Sequence, residues 1–515
     1  MTISYQKQGG YTYGTICTVS RVGDKVVKTY GESLGRLIDK DRLVFYSRSR
    51  GLFRYDDKTG AFLPPPPDVD IPKRKSRLKV PAQTVTFVFG DTYLLARFME
   101  TLELYPVLQS AYVDRLDSLK AMICFYIVSS LSNCYASQWL ETNIAKRLFP
   151  RAHLSSSQVS SLLKYIGEPN RQQSFFLNYL QWFVLRYQKK ELGNILIDST
   201  GLPSSIHFSL TAISNHNGEI NNEVRLIYVV QQRTGMPIYM RCIPGNIIDV
   251  NTLRRTILEL KQMGVDTHFA VTDAGYVSEE NIDILYKEEI SFLARLQPNR
   301  KLFKALVREH LADTRDKGVL VKQNQRLVRV KKITCRLNEK TDRDGNVINA
   351  GHQAYAYLCI DLQRSALEQL NLIEQVAEGK ISTDSYERRI EKAGIFILVS
   401  RRSIQPNKVL ETYYTRQEIE QVFDLGKNYT GMLPLAVQTE ETFRGHMVLS
   451  FIATIVAKAL TEKLQATKYP IQPTLANLAT QSITDIQGTL ITSEPNKITR
   501  LAYEAVGIDY PVCIK

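Results

Sequence analysis

The chain has 515 residues, 44% of them hydrophobic and 23% charged, a balance that supplies ample core and excludes wholesale disorder. Lys and Arg number 66 against 52 Asp and Glu, and the net charge of +14 points to an anionic partner, either nucleic acid or a membrane surface. About three domains fit this length.

The segment from Met1 to Gly14 is polar and lacks the apolar run of a secretory signal. The first eighty residues hold 16 Lys and Arg against 8 Asp and Glu, so +8 of the +14 is concentrated there. Alternating runs at Gly14–Val19 and Lys25–Tyr30, separated by Arg21–Asp24, predict a hairpin. Pro64–Pro67 predicts an extended connector. The basic run that follows, with Lys73, Arg74, Lys75 and Arg77, fits either an arm that touches phosphates or a solvated linker.

From Asp91 to Tyr187 the pattern is helical. Val159, Leu162, Leu163 and Ile166 follow Ser155–Ser157 at helical spacing, which suits the second helix of a helix-turn-helix or a plain packing helix. Leu119–Leu140 reads as buried helix, as does Met447–Ala457, which is too short to span a bilayer. Strands are expected at Asn194–Ile197, Glu223–Gln232, Met236–Ile243, Phe269–Thr272 and Ser291–Leu296, with helices at Asn251–Gln262 and Glu279–Tyr286. Residues 300–393 are charged and mixed, with strands at Leu327–Leu337 and Ala354–Asp361 and a polar helical stretch over Ser365–Lys392. Ile395–Ser400 is a core strand, and helical texture is expected from there onward.

Seven cysteines, an odd number without CxxC spacing, argue against a disulfide framework or a thiolate zinc site. Seven scattered histidines contain no HExxH, so any metal would be held by carboxylates, which suits Mg²⁺ or Mn²⁺. Asp198 and Asp273 each follow an apolar strand and precede a Gly within three residues, a context that in either Asp alone is more often a turn cap than a ligand. A helix through Tyr413–Lys427 would gather Tyr413, Arg416, Glu420 and Lys427 on one face and Tyr414, Ile419, Val422 and Leu425 on the other, with Gly426 a possible stop before Lys427.

The pattern Tyr413-x2-Arg416-x3-Glu420-x6-Lys427 resembles the Tyr-Arg-Glu-Lys signature of bacterial insertion-sequence DDE transposases. Asp198-Ser199-Thr200 and Asp273-Ala274-Gly275-Tyr276 resemble the first and second aspartate motifs of that family, and the order agrees. Arg444-Gly445-His446 before an apolar helix is also similar. The resemblance implies an α/β fold: a ribonuclease-H-like mixed sheet core with a strand-rich insertion, preceded and followed by helical regions. The implied layout is a small basic β-rich DNA-binding module and linker at 1–80 and a helical DNA-binding region at 81–190. The core would occupy 191–298 and 394–430, the insertion 299–393 and a helical C-terminal region 431–515.

It also implies cut-and-paste DNA transposition, with strand cleavage and transfer at the ends of an insertion sequence. Asp198, Asp273 and Glu420 would bind two Mg²⁺ ions, with Mn²⁺ able to substitute. Tyr413, Arg416 and Lys427 would contact DNA phosphates. The partners would be double-stranded DNA, as terminal inverted repeats and target, and a second copy in a homodimer on paired ends, with no membrane and a cytoplasmic, nucleoid-associated location. The alternative is an inactive or repurposed sequence-specific DNA-binding protein. Relatives that pass through a DNA hairpin stack a flipped base on a Trp in the insertion. Here the tryptophans are Trp139 and Trp182, both upstream of Asp198, which leaves Tyr355 or Tyr357 for that role or no such step.

Overall fold

The computed structural model describes every residue except 1, 9, 23, 24, 72–84, 215–219, 343, 345, 487 and 515. The basic run with Lys73, Arg74, Lys75 and Arg77 lies outside the described residues. The chain forms two compact units, Met1–Thr84 and Val85–Lys515.

The first unit is a six-stranded sheet in sequential order, β1 (Thr2–Gln8), β2 (Tyr11–Val22), β3 (Lys25–Asp39), β4 (Val44–Ser47), β5 (Gly51–Tyr55) and β6 (Phe62–Leu63). Its core is Leu34, Phe45, Phe53 and Tyr55. The expected hairpin is the pairing of β2 with β3, in which Val22 lies opposite Lys25.

The second unit begins with β7 (Val85–Val88) and a helical region. This comprises α1 (Gly90–Thr101), α2 (Leu104–Tyr112), α3 (Leu116–Val128), α4 (Ala136–Thr142), α5 (Ala145–Leu148), α6 (Ser156–Ile166), α7 (Pro169–Tyr187) and α8 (Lys189–Leu192). Ser155 caps α6 by accepting from the Gln158 amide, and Val159, Leu162, Leu163 and Ile166 are its buried face. Leu119–Leu140 is not one helix: the chain breaks after α3 and bends before α4.

A ten-stranded mixed sheet follows. Its strands are β8 (Asn194–Pro203), β9 (Ala212–Ser214), β10 (Asn221–Gln231), β11 (Pro237–Pro244), β12 (Phe269–Thr272), β13 (Ser291–Leu296), β14 (Val319–Gln323), β15 (Arg326–Leu337), β18 (His352–Asp361) and β19 (Ile395–Ser400), with β16 (Lys340–Thr341) and β17 (Val347–Asn349) forming a separate small pair. Spatial order is β11-β10-β8-β12-β13-β19-β18-β15-β14, with β9 beside β10. β8, β10 and β11 are antiparallel, whereas β8, β12 and β13 are parallel. Phe269–Thr272 and Ile395–Ser400 are buried along their whole length, as expected of strands covered on both faces. Within residues 299–393, β18, β15 and β14 extend the same sheet beyond β19.

Helices α9 (Leu253–Gln262), α10 (Glu279–Lys287), α11 (Lys301–Lys317), α12 (Leu362–Ala377) and α13 (Thr383–Ile390) lie between these strands in sequence. The sequence reading did not anticipate α11, and the stretch Ser365–Lys392 divides between α12 and α13. After β19 come α14 (Pro406–Tyr414), α15 (Gln417–Tyr429), α16 (Glu440–Leu464), α17 (Ile471–Ala479) and α18 (Lys497–Val506). The expectation of helix to the end is wrong. β20 (Ser482–Ile486), β21 (Thr489–Thr492) and β22 (Cys513–Ile514) form a four-stranded sheet with β7.

The buried helix α16 is the axis of this unit. Gly445 lets α6 approach it closely, since a Cβ there would overlap the Leu163 carbonyl. Among the described residues no single helix is long and apolar enough to cross a membrane.

Next to Gly445, His446 completes a buried hydrogen-bond chain. Asn133 Nδ2 donates to Tyr126 Oη at 3.2 Å, Tyr126 Oη lies 2.7 Å from His446 Nδ1, and His446 Nε2 lies 3.2 Å from the Met432 carbonyl. That carbonyl can only accept, so Nε2 carries the proton and Nδ1 accepts from Tyr126. Burial lowers the His446 pKa from 6.5 to about 4. Unfolding exposes an imidazole that takes up a proton at its ordinary pKa, so acid favours the unfolded chain. The His446 contribution is complete above pH 6.5 and is lost as pH falls toward about 4. Compared with His446→Asn by urea unfolding across this window, the wild type should lose on the order of 3 kcal/mol more. A pH-independent difference between the two would contradict this account.

Candidate active site

β8 and β12 run parallel in a register that pairs Ile197 with Thr272, so the next residues, Asp198 and Asp273, stand side by side. Asp198 is not at a strand end as expected. β8 outruns β12 because β10 continues to pair with it, with Tyr228 opposite Asp198 and Glu223 opposite Pro203. Asp273 does end its strand and leads into a short turn of 3-10 helix, Ala274–Tyr276.

The single helix expected over Tyr413–Lys427 is two. α14 ends at Tyr414, and Arg416 stands at the N-terminal cap of α15. The common stripe therefore reduces to Glu420 and Lys427, seven residues apart on α15. Gly426 does not stop α15, which continues to Tyr429. A Cβ on Gly426 would collide with the Met432 side chain, so close packing against the following loop accounts for this glycine.

Arg416 joins the parts. Its Nη2 donates to Asp198 Oδ2 at 2.9 Å and lies 3.5 Å from Glu420 Oε1, and its Nη1 donates to Asp273 Oδ1 at 3.1 Å. One guanidinium thus touches three carboxylates brought from β8, the end of β12 and α15. The Asp198 side chain is 14% exposed, against 44% for Asp273 and 59% for Glu420, so the buried member is fixed and the other two have room to turn. Burial raises the Asp198 pKa above its ordinary value, against the pull of Arg416. For Arg416, burial acts to lower the pKa, but Asp198 and Asp273 outweigh it and hold the guanidinium more firmly protonated than usual.

Tyr413 is buried in α14, and its hydroxyl accepts from Arg416 Nη1 at 3.5 Å. Lys427 Nζ donates to Thr200 Oγ1 at 2.6 Å, on the same face of β8 as Asp198. Burial lowers the Lys427 pKa, with Glu223 opposing. Tyr357 is buried and its hydroxyl exchanges hydrogen bonds with the Ile404 backbone, so it has no free ring face for a base. Tyr355 is partly buried under Lys332.

α15 is held from several directions. Ile419, Val422, Phe423 and Leu425 are buried, and Phe423 stacks on Tyr228 of β10 with centroids 5.4 Å apart. Lys458 of α16, 8% exposed, donates to Glu418 at 2.6 Å.

On the opposite face of β8 lies a group that sequence reasoning missed. Ser199 Oγ donates to Asp249 Oδ1, and Arg225 Nη1 of β10 donates to the same oxygen at 3.0 Å. The Ser199 amide also donates to Asp198 Oδ1 at 2.9 Å. Asp249 thereby ties the residue after Asp198 to β10, and Gly275 of the turn after Asp273 abuts it. Its sequence signal is a polar turn, Gly245-Asn246, with an Asp just ahead of α9.

The family model described as "Transposase DDE domain" matches residues 193–456, slightly over half of the chain. The chain belongs to the DDE transposase family. Its function is that of a transposase, an enzyme of DNA transposition. No curated protein matches the chain. A cryo-EM structure of the piggyBac transposase synaptic complex with hairpin DNA aligns over 81% of this transposase and 79% of that chain, at 9% identity and a TM-score of 0.39. Among the described residues of the transposase, no group of three His, Cys, Asp or Glu is spaced to hold a metal ion as it stands. The donor chemistry nevertheless fits a hard divalent cation: three carboxylates reach one cationic group, and two of them are exposed enough to reorient.

The Asp249 group yields a stability prediction. Asp249→Ala strands the Arg225 guanidinium, whose side chain is 5% exposed, without its carboxylate. It should cost about 3–5 kcal/mol in chemical denaturation, and Asp249→Leu combined with Arg225→Met should recover most of that. Equal loss in single and double variants would exclude a buried-charge origin.

Proposed function

We propose that this transposase cuts and joins DNA at the ends of a bacterial insertion sequence, with Asp198, Asp273 and Glu420 as the catalytic, metal-binding carboxylates. The observation that carries this reading is the convergence of all three on the Arg416 guanidinium. Strand order β11-β10-β8-β12-β13, with β8, β10 and β11 antiparallel and β12 and β13 parallel to β8, supports a ribonuclease-H-like core.

Two Mg²⁺ ions, or Mn²⁺, bound there would polarise the scissile phosphate and lower the pKa of the attacking water. The reaction is an in-line displacement at phosphorus. A water, and later the freed 3′-hydroxyl, forms the new P–O bond as the bond to the leaving oxygen breaks. Asp198 would be the fixed ligand, while Asp273 and Glu420, more exposed, would turn to meet metal and substrate. Arg416 balances the carboxylates and, with Lys427, supplies positive charge for DNA phosphates, a bidentate fork and a point charge respectively. Tyr413 orients Arg416 through its hydroxyl and stands beside the phosphate path. Lys73, Arg74, Lys75 and Arg77 add an electrostatic contact to the DNA. A homodimer on paired ends and a nucleoid-associated location belong to the same reading. A copy that binds DNA without chemistry is not favoured, because all three carboxylates are in place.

The test is nicking of a plasmid that carries the element's own ends, with Mg²⁺ or Mn²⁺ present. Asp273→Ala should reduce nicking by more than the roughly 10–100-fold that loss of an outer-shell partner costs. Wild type and variant nicking at the same metal-dependent rate would refute the assignment.

A further inference from the structure

The hairpin of the first unit is longer than the sheet that supports it. β1 pairs with β2 only as far as Cys17, where Thr2 lies opposite. Beyond that point, among the described residues, β2 and β3 pair only with each other: Thr18 to Val22 pair with Thr29 to Lys25. Thr18–Arg21 and Lys25–Ser33 are exposed throughout, on both faces of the ribbon. A strand exposed on both faces gains nothing from burying side chains, so its residue types are free of any packing requirement.

Those types form a pattern. In an antiparallel pair, opposed residues share a face. One face carries Val19, Arg21, Val26 and Lys28, and the other carries Thr18, Ser20, Lys25, Val27 and Thr29. Each face therefore mixes cations with short apolar side chains, and one adds three hydroxyls. Arg21, Lys25 and Lys28 make no ion pair among the described residues, and no described residue from Thr18 to Gly31 is acidic; Asp24 lies outside the described residues.

We infer that this ribbon reads duplex DNA by lying in the major groove. The inference rests on the transposase reading only for the identity of the partner. Five paired positions extend about 17 Å, and a two-stranded ribbon fits a groove about 12 Å wide. Arg and Lys suit guanine edges and flanking phosphates, the hydroxyls suit base edges generally, and valine methyl groups suit the thymine methyl. A second copy of the chain is a poorer occupant. Two such ribbons repel each other, and lysines on an open strand edge oppose strand addition.

The test uses the full chain and a triple variant, Arg21→Gln, Lys25→Gln and Lys28→Gln, which leaves the core of Leu34, Phe45, Phe53 and Tyr55 untouched. Circular dichroism and thermal melting establish that both proteins fold alike. The probes are random-sequence 30-base-pair duplexes, selected on the wild type and then methylated at guanine N7, which faces the major groove. The variant should bind the selected duplexes at least 10-fold more weakly, and the N7 interference seen with the wild type should disappear. Unchanged affinity and interference overturn the inference, as does a wild type that selects no duplex. A wild type that dimerises through the ribbon in sedimentation, with DNA binding equal in both proteins, assigns the ribbon to a second copy instead. Plasmid nicking measured in parallel separates the two readings. Ribbon-dependent binding without metal-dependent nicking faults the chemistry alone, and nicking with ribbon-independent binding faults the ribbon alone.

Discussion

Gathering three carboxylates at one point is electrostatically unfavourable, and the rest of this transposase is arranged around that cost. Like charges at such distances raise one another's pKa unless a cation stands between them. Arg416 is that cation, within 3.5 Å of Asp198, Asp273 and Glu420. Its position at the cap of α15 puts the guanidinium at the sheet edge while the helix carries Glu420 alongside. The break between α14 and α15 therefore has a use: one continuous helix would hold Tyr413 and Arg416 on a common straight face.

Precision at the sheet edge has to come from the elements behind it. The parallel register of β8 and β12 sets the two aspartates side by side. The position of α15 relative to them is fixed by Phe423 on Tyr228, by Glu418 with Lys458, and by the loop at Met432, whose carbonyl is bound through His446. Asp249 performs the matching task on the other face of the sheet. The partly exposed carboxylates are thus backed by buried contacts on α15 and by the Arg225–Asp249 pair on the other face of the sheet.

Much of this was legible in the sequence, for identifiable reasons. Phe269–Thr272, Ser291–Leu296 and Ile395–Ser400 were read with their bounds because each is a short apolar run bordered by polar residues, the signature of a strand covered on both faces. Asp198 and Asp273 stood out because each ends an apolar run, and Glu420 because of its spacing from Tyr413, Arg416 and Lys427. The break at Thr415-Arg416 was hidden because neither Gly nor Pro marks it. The passage of β8 through Asp198 was hidden because it depends on a long-range partner, β10. The terminal strands β20, β21 and β22 are too short for periodicity to show. Ser199, Arg225 and Asp249 are brought together by tertiary contact alone, and no local pattern links them.

The small sheet that joins β7 to β20 has a bearing on how the protein is made. Ser482–Asp485 pair with Val88–Val85, and Tyr503 donates to the Gly90 carbonyl at 3.0 Å. The first strand of the catalytic unit and the first turn of α1 therefore wait for partners that leave the ribosome some four hundred residues later. The first unit, with a core of its own, has no such dependence. During synthesis the ribbon-bearing unit can fold early, while the second unit cannot close until Ser482–Asp485 and Tyr503 have emerged.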